Sequence, residues 1–155
     1  MTYTKDTYKG IFHPQNPQKY AGDLTHIVYR SSYELRFMKW CDLNTGVLQW
    51  GSEEVVVPYV SPADNKTHRY FVDFFVKVRT KDGAIKKYLV EVKPYRFTQE
   101  PITPKRKTRN FVNEVVQWAV NNAKWDSARK VADSMGWEFM LITEKDLGLL
   151  QNTHK

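Results

Sequence analysis

The chain has 155 residues, 41% apolar and 26% charged, enough for one domain that buries roughly two-thirds of its unfolded surface. Its single cysteine, Cys41, excludes a disulfide framework and every multi-cysteine zinc site, and its four histidines form no i, i+4 metal pair. The 24 Lys and Arg outnumber the 17 acids, and the net charge of +7 favours a polyanionic partner, nucleic acid foremost.

Residues 1–28 are polar, contain Pro14 and Pro17, and lack an apolar period; they read as an extended N-terminal arm or surface wrap. Ser31-Ser32-Tyr33-Glu34 is a capping-box pattern, and Tyr33, Phe37, Trp40 and Cys41 continue along one helical face until Asn44-Thr45-Gly46. Residues 47–50 and 55–57 read as short strands, the second ended by Pro58-Tyr59. Residues 69–79 and 85–93 are the strongest strand pair, joined by Thr80-Lys81-Asp82-Gly83. Residues 94–109 carry three prolines and a cluster of bases, which marks a long basic loop. Residues 111–120 read as a helix. Asn122 is placed to cap another, with Trp125, Ala128, Ala132 and Met135 on one face and Gly136 at its end. A strand over 137–142 and a short helix capped by Thr143-x-x-Asp146 complete the order. The expectation is one α/β domain over 1–155, with helices bracketing a central mixed sheet built on an antiparallel meander.

Chemistry concentrates in the strand pair. Val90-Glu91-Val92-Lys93 puts Glu91 and Lys93 on one strand face, and Asp73 interrupts the otherwise hydrophobic run 70–76. A charge in such a strand costs several kcal/mol unless it is paired or bound to metal. Asp64-Asn65-Lys66 has the same acid-x-Lys spacing, but in a hydrophilic loop where its charges are simply solvated. The turn decides whether the acids meet. A two-residue loop at Asp82-Gly83 would set Asp73 opposite Val92, facing away from Glu91. A type I turn with Gly83 left-handed in a G1 bulge pairs Thr80 with Ala84 and sets Asp73 opposite Glu91. Asp at the third turn position and Gly at the fourth favour the bulge.

Two facing carboxylates need a proton or a cation between them, and all-oxygen ligands select a hard ion, Mg²⁺ or Mn²⁺. The competing interpretation is a buried acid–lysine ion-pair network. Glu34 borders the buried helix face and is a third candidate acid, although the capping box alone accounts for it. Gln117 shares a helical stripe with Asn110, Asn113, Glu114 and Asn121, which reads more readily as a solvated face than as a catalytic row. Arg96, Lys105, Arg106, Lys107 and Arg109 follow the lysine strand and suit DNA backbone contacts.

Glu34, Asp73 and Glu91-x-Lys93, in the order helix, strand, strand, resemble the PD-(D/E)xK nuclease superfamily, with Val72 where proline usually precedes the aspartate. A closer resemblance, to the head completion nucleases of large tailed phages, runs over residues 12–147. It is carried by Phe12-x-Pro14-x-Asn16-x-x-Lys19-Tyr20-x-Gly22-Asp23, Tyr29-Arg30-Ser31-x-x-Glu34, Trp50-Gly51-Ser52-Glu53, Arg69-Tyr70-Phe71-x-Asp73 and Glu91-x-Lys93-Pro94. The catalytic segments are also similar to the nuclease subunit that cuts transposon ends.

The resemblance implies a restriction-endonuclease-like core. It also implies a Mg²⁺-dependent DNA endonuclease, with exonuclease action also in scope, that acts on packaged DNA before head–tail joining. Its partners would be DNA and head, neck or portal proteins. It would work in the host cytoplasm or at the head–neck junction of the virion, without a membrane. Carried over residue by residue, Asp73, Glu91 and the Val92 carbonyl hold the metal, Glu34 completes its shell directly or through water, and Lys93 serves the attacking water. Glu53 matches the pattern without an assigned role, and the resemblance gives Gln117 no clear one. The alternative is a non-catalytic neck or plug protein that holds DNA without cutting it.

Overall fold

In the computed structural model, which describes residues 9–152, Gly10–Ile11 (β1) pairs antiparallel with Val28–Tyr29 (β2). A 3-10 turn at Pro17–Lys19 lies between them. This segment is more than a surface wrap, because Phe12, Tyr20 and Ile27 are buried in the main core. Burial of Phe12 and Ile27 contributes about 1.5–3 kcal/mol each. The segment's polar anchor is Asp42, whose carboxylate accepts the backbone N–H groups of Gln15 (2.8 Å) and Asn16 (2.9 Å). Lys19 Nζ donates to the carbonyls of Asp42 and Asn44.

Ser32–Leu43 forms α1, and the Ser31 hydroxyl accepts the Glu34 N–H at 3.1 Å as the capping pattern predicts. Val47–Ser52 (β3) follows, then Val56–Val60 (β4) and Thr67–Phe71 (β5), which pair with each other as a separate two-stranded sheet. Pro58 therefore sits inside β4 rather than ending it. Only β5 pairs with β4, so the donor that proline lacks costs no ladder bond on the open edge.

The strand expected over 69–79 is broken. Val72 and Asp73 lie between β5 and Phe74–Arg79 (β6), which belongs to the main sheet. The break has a hydrogen-bonding cause: Val72 N–H goes to the Val55 carbonyl, and the Asp73 carbonyl accepts the Glu53 N–H. Ile85–Val92 (β7) returns antiparallel to β6 with Phe74 opposite Val90. Gly83 has φ +86°, its N–H donates to the Thr80 carbonyl, and Thr80 N–H donates to that of Ala84. This is the bulged turn; the paired register ends at Phe74 opposite Val90, one residue short of Asp73 and Glu91.

The helix expected to break at Asn122 is continuous over Arg109–Met135 (α2), because Asn122 Nδ2 bonds back to the Trp118 carbonyl instead of capping a new turn. Gly136 ends α2 in the left-handed region at φ 73°. Glu138–Ile142 (β8) lies parallel to β7, and Glu144–Asn152 forms α3, with Thr143 N–H on the Asp146 carboxylate. The main sheet runs β3-β6-β7-β8. One core holds Phe37, Met38, Trp50, Phe74, Val76, Val90 and Leu147; the other holds Val57, Tyr70, Leu89, Trp125, Ala128 and Ala132. Among the described residues no helix is long and apolar enough to cross a membrane.

Candidate active site

Alternation along β7 sends Val90 and Val92 into the α1-side core, whereas Glu91 meets side chains of the opposite core. Glu91 is buried, 6% exposed. Its Oε1 accepts the Tyr70 hydroxyl at 2.8 Å and its Oε2 accepts the Trp125 indole N–H at 3.4 Å. Lys93, with its side chain 30% exposed, brings Nζ to 3.8 Å from Glu91 Oε2. Asp73 stands at the strand break, and its Oδ2 accepts the Val92 N–H at 2.9 Å. That bond ties the aspartate to the strand carrying Glu91 and Lys93.

The first turn of α1 contributes Glu34, whose carboxylate accepts the Arg30 N–H at 3.2 Å. Arg30 in turn pairs with Glu53 at 2.6 Å. Both partners are exposed enough for this ion pair to contribute little to stability. Its position is more informative. Glu53 holds a left-handed backbone, φ 56°, and donates its N–H to the Asp73 carbonyl. A non-glycine residue in that region is uncommon, and here its N–H bonds the backbone at the strand break.

Charge is unevenly balanced at the site. Burial, then the charges of Glu91 and Glu34, push the Asp73 carboxyl well above the usual carboxylate range; the Val92 N–H and Lys93 oppose this. Burial also raises Glu34, with the Arg30 N–H and guanidinium opposing and Glu53 and Glu91 adding to the rise. The Tyr70 phenol is held protonated by burial and by the negative charges of Glu91 and Asp73. Among the described residues no three Asp, Glu, His or Cys side chains are already gathered as a ligand cluster. The donor set at the strand break is nevertheless all oxygen and carries excess negative charge, which is the chemistry that a hard divalent cation satisfies.

The other candidates lie elsewhere. Gln117 is exposed and donates to Asn121 at 2.8 Å; Asn121 is buried, so the polar stripe of α2 is solvated only in its first half. Lys105, Arg106, Lys107 and Arg109 are exposed in the loop before α2 and at its first residue. Arg96 is exposed and lies over the Phe97 ring. Tyr70 and Trp125 escape a reading based on motifs. The available signal was a tyrosine at a buried position among phenylalanines, since a buried phenol needs a partner for its hydroxyl.

A central mixed sheet, helices on both faces, and an acid at a strand break opposite an acid-x-Lys strand define a nuclease of the restriction-endonuclease-like fold. Residues 44–144 match the TnsA-like endonuclease N-terminal family, and the chain belongs to that family of DNA-hydrolysing enzymes. The chain is also 38% identical over 147 residues to the head completion nuclease of Enterobacteria phage T4, with 92% of this chain and 95% of that protein covered.

Proposed function

We propose that the chain is a Mg²⁺-dependent DNA nuclease of phage head completion, and that Mn²⁺ can replace Mg²⁺. The observation that carries this reading is the Val92 N–H donated to the Asp73 carboxylate, which ties the aspartate to the strand where Lys93 lies 3.8 Å from Glu91. Asp73, Glu91 and the Val92 carbonyl would hold the ion, and Glu34 would complete the shell directly or through water. When bound, the ion supplies positive charge to the phosphate and acidifies a water. Lys93 orients that water and balances charge on the phosphate as it becomes five-coordinate. The ammonium is free to do so, because at 3.8 Å it is held to Glu91 by charge rather than by a short hydrogen bond.

Lys105, Arg106, Lys107, Arg109 and Arg96 would bind DNA backbone, whose phosphates carry no sequence information. The T4 relative's name supports a part in head completion; we place that action on DNA-filled heads in the host cytoplasm, with contacts to head or neck proteins. A plug that only holds DNA would not need a buried Glu91 on the strand to which a half-buried Asp73 is bonded, with the charges of Glu91 and Glu34 pushing the aspartate carboxyl up, so these acids speak for catalysis.

The test is cleavage of supercoiled plasmid, with endonuclease action read as nicking and exonuclease action as loss of a linear duplex. Wild type should cut in Mg²⁺ and not in EDTA. Asp73→Ala and Glu91→Ala should be folded by circular dichroism and inactive. Cleavage at the wild-type rate by either variant overturns the assignment.

A further inference from the structure

Glu91 is the most enclosed acid of the proposed site, and besides the Lys93 ammonium at 3.8 Å it has two neutral donors. Tyr70 and Trp125, 4% and 2% exposed, each place one donor on a different oxygen of the carboxylate. Both donors are neutral and come from outside the acid-x-Lys strand, one from β5 and one from α2. A carboxylate has about four lone-pair sites, so one direction on each oxygen stays available after these two bonds. These neutral donors fix the orientation of the group without cancelling its charge, and the one cation beside it, the Lys93 ammonium, stays at 3.8 Å and is partly exposed.

We propose that Tyr70 and Trp125 are positioning residues that clasp Glu91 from both sides and aim its remaining lone pairs at the divalent ion. This rests on the nuclease reading above. It gives α2 and the β4–β5 hairpin a part in activity, although neither carries an acid of the site. Phenylalanine at 70 would fill almost the same space and leave a Glu91 oxygen without its donor; at 125 it removes the indole donor and also leaves a cavity where the second ring packed.

The experiment is calorimetric titration of the full chain with Mn²⁺ in the absence of DNA. Tyr70→Phe should weaken the Mn²⁺ Kd about 10- to 100-fold, the usual effect of losing a hydrogen-bond partner of a metal ligand. The half-saturating Mn²⁺ for plasmid cleavage should shift with it, while DNA binding in EDTA stays at the wild-type level. Trp125→Phe should shift the Kd in the same direction by less, because its contact to Glu91 is the longer. If circular dichroism shows Tyr70→Phe unfolded, Trp125→Phe decides alone. Folded variants that bind Mn²⁺ with the wild-type Kd overturn the clasp and make both residues packing only, even if they melt earlier. A wild type that binds no Mn²⁺ overturns the proposed metal site, and the clasp with it.

Discussion

Glu34 performs two tasks that substitution can separate. As the third residue of α1 it contributes the N–H that the Ser31 hydroxyl accepts, and its own carboxylate accepts the Arg30 N–H. As an acid it adds negative charge near Asp73. Ser31→Ala removes the cap and should cost about 1 kcal/mol, which lowers the melting temperature of a chain of this size by about 2–4 °C. Its cleavage rate in Mg²⁺ should be unchanged. Glu34→Gln keeps an acceptor for the Arg30 N–H and removes only the charge. The folded protein holds the Glu34 carboxyl above its ordinary 4.5, through burial first and then Glu53 and Glu91. The fold therefore binds this proton more tightly than the unfolded chain does. Stability of the metal-free wild type falls as pH rises through the window between those values. Glu34→Gln should flatten that part of the profile and melt no lower than wild type in EDTA. Its cleavage should drop about 10- to 100-fold if Glu34 completes the metal shell. Scanning calorimetry in EDTA together with plasmid nicking in Mg²⁺ reads both effects. Wild-type cleavage by Glu34→Gln, with activity lost in Ser31→Ala, would show that the glutamate matters only as a cap.

Asp73 should make metal-free stability fall further with pH, since its carboxyl also lies above the ordinary value of 3.8. Mg²⁺ at about 100 times its Kd should add about 2.7 kcal/mol, or about 5–11 °C; a melting temperature indifferent to both EDTA and pH refutes this. Neutralising Lys105, Arg106 and Lys107 together should weaken DNA binding equally on unrelated sequences. It should also reduce the salt slope of log K by about 0.9 for each duplex phosphate no longer neutralised, and an unchanged slope would mark the cluster as solvated surface. Asp42→Ala releases the N–H groups of Gln15 and Asn16 and should cost about 3 kcal/mol, the worth of one or two hydrogen bonds to a charged group. The melting temperature should then fall by about 6–12 °C; an unaltered value would show that Phe12 and Ile27 hold the N-terminal segment unaided.

The parts of this molecule legible in sequence are those set by local chemistry. Asp82-Gly83 specifies the bulged turn, and that turn sets the register in which Phe74, next to Asp73, faces Val90, next to Glu91. Ser31 and Thr143 mark helix starts for the same reason: a side chain bonds a neighbouring backbone group. What was hidden depends on distant partners. The run 70–76 is apolar apart from Asp73 and gives no hint of its break, because the bonds that cause it come from Val55 and Glu53. The donors on Glu91 lie 21 and 34 residues from it in sequence. Phe12, Tyr20 and Ile27 enter the core from an irregular segment, so no period announces them. Asn122 offered a plausible cap, and only its bond to the Trp118 carbonyl shows α2 running on.

The most direct test is anomalous diffraction from crystals of the protein soaked in Mn²⁺. A single strong peak in ligand contact with the carboxylates of Asp73 and Glu91 and with the Val92 carbonyl is the expected result, absent from crystals of Asp73→Ala. Anomalous density at another site, with none at the β6–β7 strand ends in protein that cleaves DNA under the same conditions, would contradict the assignment of these acids as the metal centre.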